Sequence, residues 1–149
     1  MTSYERTGWR DQAISNRHRN WGFNCPAVDL DFVVVEYNIG KAVAVIEYKC
    51  YGAEKPNIKH PTYRALIDLC NSYRKAPLPF MIVFYCNEDW WFKVYPVNST
   101  AREFYTPGQV MSEKEYVTSL YDMRKLVIED SVLRKLSDIK PAFSVKRAS

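Results

Sequence analysis

Asp31, Glu47 and Lys49 are the residues of this chain whose types and spacing could do chemistry. Glu47 and Lys49 stand two positions apart, so on a β-strand they share a face. If Asp31 faces Glu47 from a neighbouring strand, two carboxylates confront each other and repel unless a proton or a cation lies between them. Mg²⁺ is often held by one or two carboxylates plus water and a substrate phosphate. The chemistry in view is therefore metal-assisted attack on a phosphate ester. Glu-x-Lys on a strand is also a common surface charge pair, and Asp29 and Asp31 are also ordinary strand-entry residues. The neighbouring residues favour the chemical reading. Residues 42–46 are a continuous apolar run, as in a strand covered on both faces. Charges at the end of such a strand are costly unless partnered.

The element that must position these groups is a β-hairpin. Residues 28–37 and 41–49 are rich in β-branched side chains and flank Asn38-Ile39-Gly40. A three-residue loop ending in a left-handed Gly fits that spacing. It pairs Tyr37 with Lys41, Val35 with Val43 and Val33 with Val45. Continued outward, the register sets Asp31 opposite Glu47 and Asp29 opposite Lys49, with directly opposed Cβ atoms about 4.5–5.5 Å apart.

Upstream, Thr2-Ser3-Tyr4-Glu5 matches a capping box, and a helix is expected from there to about residue 20, ended by Gly22. Residues 23–26 are expected to be irregular or a brief strand. Downstream, residues 51–59 are polar and form a loop next to the strand that carries Glu47. Pro61 suits the first turn of a helix over residues 61–74, with Ala65, Leu66, Leu69, Cys70 and Tyr73 as its apolar stripe. Residues 80–86 are a fully apolar strand, Asn87-Glu88-Asp89 turns it, and residues 90–97 return. Residues 98–110 are expected to be a long loop. Ser112 to Glu115 is a second capping box, opening a helix that turns Tyr116, Val117, Leu120 and Met123 inward. A last helical piece is expected near residues 130–136. Strand, helix 61–74 and strand 80–86 make a βαβ unit, whose strands run parallel through a right-handed crossover.

Length and composition bound the rest. The chain has 149 residues, which fits one domain, with a core over about residues 3–97 and a helical addition over about 112–138. It is 47% hydrophobic, 26% charged and 15% aromatic, a globular balance. No apolar run nears the ~20 residues of a membrane span, and the first residues are not a signal peptide, so no membrane partner and a cytoplasmic location are expected. Cys25, Cys50, Cys70 and Cys86 are too scattered for a zinc or iron–sulfur site and read as reduced, mostly buried thiols. The net charge is only +4, but Arg6, Arg10, Arg17 and Arg19 crowd the first helix. A second basic cluster includes Arg124, Lys125, Arg134 and Lys135. Such helices near a carboxylate site suit a polyanionic backbone, and they also suit an ordinary solvated face.

The pattern Pro26…Asp29-Leu30-Asp31…Glu47-Tyr48-Lys49, on a hairpin after a helix and before a βαβ crossover, resembles the PD-(D/E)XK nuclease superfamily. The resemblance runs from the first helix to about residue 97. It implies an α/β (α+β) fold, with a mixed sheet of about four to five strands flanked by helices in a restriction-endonuclease-like αβββαβ order. It also implies a Mg²⁺- or Mn²⁺-dependent deoxyribonuclease leaving a 5′-phosphate and a 3′-hydroxyl. Asp31 would be the motif aspartate, with Asp29 as the alternative, and Glu47 the second acidic ligand. The main-chain carbonyl of Tyr48 would complete the metal shell, and Lys49 would be the motif lysine. Glu5 would supply a helical carboxylate, with Asp11 second. Lys49 could orient the attacking water, accept its proton, or bind the developing phosphorane charge. Arg6, Arg10, Tyr63 and Arg64 are the candidate substrate contacts, the last two on a helix first turn, where main-chain N–H groups favour anions. Trp90 and Trp91 could stack on bases, although two aromatics on a strand more often belong to a core.

The size suits a stand-alone phage or mobile-element endonuclease acting on DNA, with a homodimer among its assemblies. The competing reading is a catalytically inactive nuclease fold that binds nucleic acid or a partner protein. An unrelated α/β enzyme or interaction domain, in which Glu-Tyr-Lys is coincidental, has no Gly-rich phosphate loop, nucleophile motif or His pair behind it.

Overall fold

The computed structural model describes residues 12–22, 28, 30–73 and 76–129. In chain order its elements are helix α1 (Gln12–Trp21), strands β1 (Phe32–Glu36) and β2 (Lys41–Cys50), helix α2 (Pro61–Asn71), and strands β3 (Phe80–Tyr85) and β4 (Trp91–Pro96). Then come a single-turn helix α3 (Ser99–Arg102), strand β5 (Gln109–Ser112), helix α4 (Glu113–Met123) and a 3₁₀ turn, Arg124–Leu126. The strands form one five-stranded sheet in the order β1-β2-β3-β4-β5. β2 and β3 are parallel and joined by α2, while the other neighbours are antiparallel. This is the mixed sheet with flanking helices that the sequence predicts. Two described strands precede α2, where an αβββαβ order asks for three; residues 23–27 lie outside the described residues.

Alternation along each strand divides the core in two. One face carries Ala44, Ile46, Met81, Val83 and Phe92, packed against Tyr116 and Met123 of α4. The other carries Val45, Phe80, Ile82 and Phe84 against Leu66 and Cys70 of α2. Both faces of β2 and β3 are covered, which is why Val43 to Ile46 and Phe80 to Val83 read as unbroken apolar runs. Each fully buried Val, Ile or Phe contributes about 1.5–3 kcal/mol to that packing.

Several expectations are corrected. The buried stripe of α2 is Leu66 and Cys70, with Tyr63, Ile67 and Tyr73 packed beside them. Leu69 is 56% exposed and Ala65 is exposed too, so the helix is rotated from the predicted stripe. Residues 98–110 are not one long loop. Asn98 caps α3, its side chain accepting from the Ala101 N–H, and β5 adds to the sheet edge beside β4. The Ser112–Glu115 capping box forms as expected. Cys70 is buried, Cys86 half-buried and Cys50 exposed, so burial of the thiols is only partial. The expected helical start at Thr2, the helix near residues 130–136, and Cys25 lie outside the described residues. Among the described residues no helix is long and apolar enough to cross a membrane.

Candidate active site

The hairpin register brings the predicted residues together by a route the sequence hides. Near the turn, Glu36 pairs with Lys41 and Val35 with Ala42, so the loop is four residues, Tyr37 to Gly40, with Gly40 at φ +62°. Further out, Val34 pairs with Ala44, Val33 with Val45 and Phe32 with Ile46. A β-bulge between Val34 and Val35 accounts for the change, leaving Val43 as the extra residue on β2. Continued by one pair, the register sets Asp31 opposite Glu47.

β1 ends at Phe32, and Asp31 itself replaces the next ladder bond: its Oδ2 accepts the Tyr48 N–H at 3.3 Å. A strand residue points its N–H and C=O to the same side. The Tyr48 carbonyl is therefore directed to the same open edge as Asp31. The Tyr48 ring lies on the opposite face, where its hydroxyl is 2.7 Å from that of the buried Tyr116.

Glu47 is the hub. Its side chain is 15% exposed, and its Oε2 lies 3.8 Å from Lys49 Nζ on the same face. That oxygen also accepts the Tyr63 hydroxyl. Tyr63 reaches it from the first turn of α2, whose start is fixed by Pro61 and by His60 as N-cap. The His60 Nδ1 accepts the Thr62 N–H at 3.3 Å, which places the proton of the neutral ring on Nε2. Burial raises the Tyr63 pKa well above the ordinary phenol value, and the Glu47 carboxylate, then Asp31, push it further. Tyr63 is thus a fixed donor.

Asp31, Glu47, Lys49, the Tyr48 main chain and Tyr63 therefore converge. Arg64 is exposed on the same first turn of α2 as Tyr63. Glu5, Arg6, Arg10, Asp11 and Asp29 lie outside the described residues. Of the two tryptophans, Trp90 adopts φ +52°, is 47% exposed and stacks on Tyr85 on the α4 side. Trp91 falls on the other face, edge-on to Tyr51. Neither is a core residue.

Two carboxylates and a directed carbonyl form a set of hard oxygen donors, which fits Mg²⁺ or Mn²⁺ better than a soft metal. Among the described residues no three His, Cys, Asp or Glu side chains gather in a metal-binding group. Carbonyl, water and substrate phosphate would have to complete the shell. A cavity of about 540 Å³ sits at the other end of β2, lined by Ala42, Val43, Leu78, Pro79 and Val127 among others, with no charged side chain, so it is not the site of this chemistry.

Sequence reasoning missed the basic and aromatic residues beside the site, Lys55, Lys93 and Tyr95. Lys55 Nζ lies 4.3 Å and Lys93 Nζ 5.8 Å from the Tyr95 ring centroid. The period-two spacing of Trp91, Lys93 and Tyr95 was the available signal. Comparisons with protein-family models, with curated proteins and with solved structures found no match.

Proposed function

We propose that this protein is a Mg²⁺-dependent nuclease that hydrolyses phosphodiester bonds in DNA, acting in the cytoplasm. The observation that carries the reading is the environment of Glu47, which stands opposite Asp31 when the β1–β2 register is continued by one pair, neighbours Lys49 at 3.8 Å and is held by Tyr63. Oδ1 of Asp31 and Oε1 of Glu47 would take the cation, beside the Tyr48 carbonyl. Bound there, Mg²⁺ would polarise a phosphoryl oxygen and lower the pKa of a water. Tyr63 fixes the Glu47 rotamer by donating to Oε2. Lys49 sets its ammonium next to the reacting phosphate, where it can orient the water or meet developing negative charge. Arg64 would contact the substrate backbone as a bidentate donor, and Arg6 and Arg10 have the same proposed role. A homodimer is part of the proposal, checked by sedimentation.

The test is cleavage of supercoiled, linear, branched and single-stranded DNA with Mg²⁺ or with EDTA. Mg²⁺-dependent cleavage is expected, and Glu47→Ala or Lys49→Ala should abolish it while leaving the fold intact. Nicking by both variants at the wild-type rate would remove the assignment.

A catalytically inactive nuclease fold that binds nucleic acid or a partner protein is favoured by one observation: among the described residues no third His, Cys, Asp or Glu joins Asp31 and Glu47 in a metal-binding group. Calorimetric titration separates the two. A nuclease gives a Mg²⁺ or Mn²⁺ heat that depends on Asp31 and Glu47, and an inactive binder gives none.

A further inference from the structure

The sheet face that carries Glu47 and Lys49 does not end with them. β3 and β4 extend it in two cross-strand rows, Glu47–Ile82–Tyr95 and Lys49–Phe84–Lys93, and β5 adds Val110 to the second. Tyr51 N–H bonds the Tyr85 carbonyl at 2.7 Å, which prolongs β2 and sets the Tyr51 ring 4.9 Å from that of Trp91. α2 covers this face over β2 and β3. Beyond it Trp91, Lys93 and Tyr95 are half-exposed, Tyr51 is 65% and Val110 61% exposed. Gly108 borders the same ring: a Cβ there would meet the Tyr95 ring at 3.7 Å and the Lys93 side chain at 3.9 Å. With strands about 4.8 Å apart, Lys93 stands about 10 Å across the sheet from Lys49.

We propose that this face is a platform for single-stranded DNA, with Tyr51, Trp91 and Tyr95 stacking on unpaired bases and Lys49, Lys55 and Lys93 holding the backbone that runs to Glu47. The inference rests on the nuclease reading for where the strand leads and on charge and ring chemistry for what is bound. Ammonium groups interleaved with rings on one flat surface match a phosphate backbone with bases beside it. A duplex hides its base faces within its own stack, so exposed protein rings can engage only bases that are unpaired.

The experiment is fluorescence anisotropy of a short labelled DNA single strand with the full chain in EDTA, so that binding is read without cleavage. The comparison ligands are the same sequence as duplex DNA and as single-stranded RNA. The DNA single strand should bind tightest. Trp91→Ala should weaken it by about 5- to 150-fold, the range for loss of one base stack. Combining Lys55→Ala with Lys93→Ala should flatten the log–log salt dependence by about 1.4, two phosphate contacts at roughly 0.7 each. The surface change Lys93→Glu keeps the test open if Trp91→Ala folds poorly, and it should weaken binding as well. Preference for duplex or RNA, or unchanged binding by folded Trp91→Ala and Lys93→Glu, overturns the platform. Mg²⁺-dependent cleavage lost on Glu47→Ala alongside those results would leave the nuclease reading standing without it. Platform binding with no cleavage on any substrate would sink the nuclease reading instead.

Discussion

Arg124→Ala should be among the most damaging single changes in this protein, although Arg124 is remote in sequence from every proposed site residue. Its Nε donates to Oε1 of Glu36, the last residue of β1, whose side chain is 1% exposed, while the Arg124 side chain is 21% exposed. Removing one partner of a buried pair leaves an uncompensated charge and costs about 3–5 kcal/mol. The Asn38 Nδ2 still donates to Oε2 at 3.0 Å, which argues for the lower end, about 3 kcal/mol. With a urea dependence of about 1.5 kcal/mol per M, the midpoint should fall by about 2 M. Glu36→Gln should cost clearly less, because the freed guanidinium is already partly in water. The pH dependence follows from the same contact. The Glu36 carboxyl is held below its ordinary pKa, chiefly by the bond from Arg124 and secondarily by Asn38, against the opposing effect of burial. A depressed folded-state pKa gives stability that is present above the unfolded value, near pH 4.3, and lost as pH falls through the folded value. The gap between wild type and Arg124→Ala should be widest at pH 7 and shrink below about pH 4. Urea titrations followed by tryptophan fluorescence at pH 7 and pH 3 measure both. A pH 7 loss under about 0.5 kcal/mol, or a Glu36→Gln cost equal to that of Arg124→Ala, would refute the buried-charge argument.

Tyr63→Phe removes the hydroxyl that fixes Glu47 and leaves the ring in place; activity or Mg²⁺ affinity should drop about 10- to 100-fold. Cleavage measured across a Mg²⁺ titration reads this, and a curve that overlays wild type means that Tyr63 positions nothing. Asn98→Ala removes a side chain that accepts from Phe80 and Ala101 N–H and donates to the Leu78 carbonyl at 2.7 Å. Unpaired buried groups at about 1–3 kcal/mol each suggest a loss near 3 kcal/mol and a melting temperature roughly 10 °C lower. Calorimetry that finds no shift would show the corner repacks or hydrates freely.

What could be read from the sequence was whatever is encoded locally. Runs of β-branched residues announced β1 and β2, a fully apolar run announced β3, and Pro61 and the Ser112 box announced the helix starts, because strand, turn and cap preferences act over a few residues. The missed elements depend on distant partners. β5 is four residues long, and its place is set by pairing with β4 and by burial of Met111 under α4. α3 exists because Asn98 is buried where it can cap Ala101 while bonding Phe80 and Leu78, contacts that no local pattern states. Alternation alone would send Trp90 and Trp91 to opposite faces; what the sequence hides is the left-handed backbone at Trp90, so that β4 begins at Trp91 and not at residue 90.

The register returns to the expected pairing of Val33 with Val45 through two departures that cancel. The loop is one residue longer than Asn38-Ile39-Gly40, which alone would slide every pair by one and turn each side chain of β1 to the opposite face. Asp31 would then oppose Ile46, on the side covered by α4, and no second carboxylate would meet Glu47. The bulge at Val43 takes up the extra residue and places Val43 and Ala44 side by side on the α4 face, both at 0% exposure. Their burial is the physical reason the bulge is stable where it is: a shift in either direction would turn one of them out of that face. Glu36 reinforces the arrangement from the turn side, since its bond to Arg124 requires it to face α4 as well. The meeting of Asp31 and Glu47 is therefore decided several residues away, by apolar packing and one ion pair that fix the slack in the hairpin at a single position.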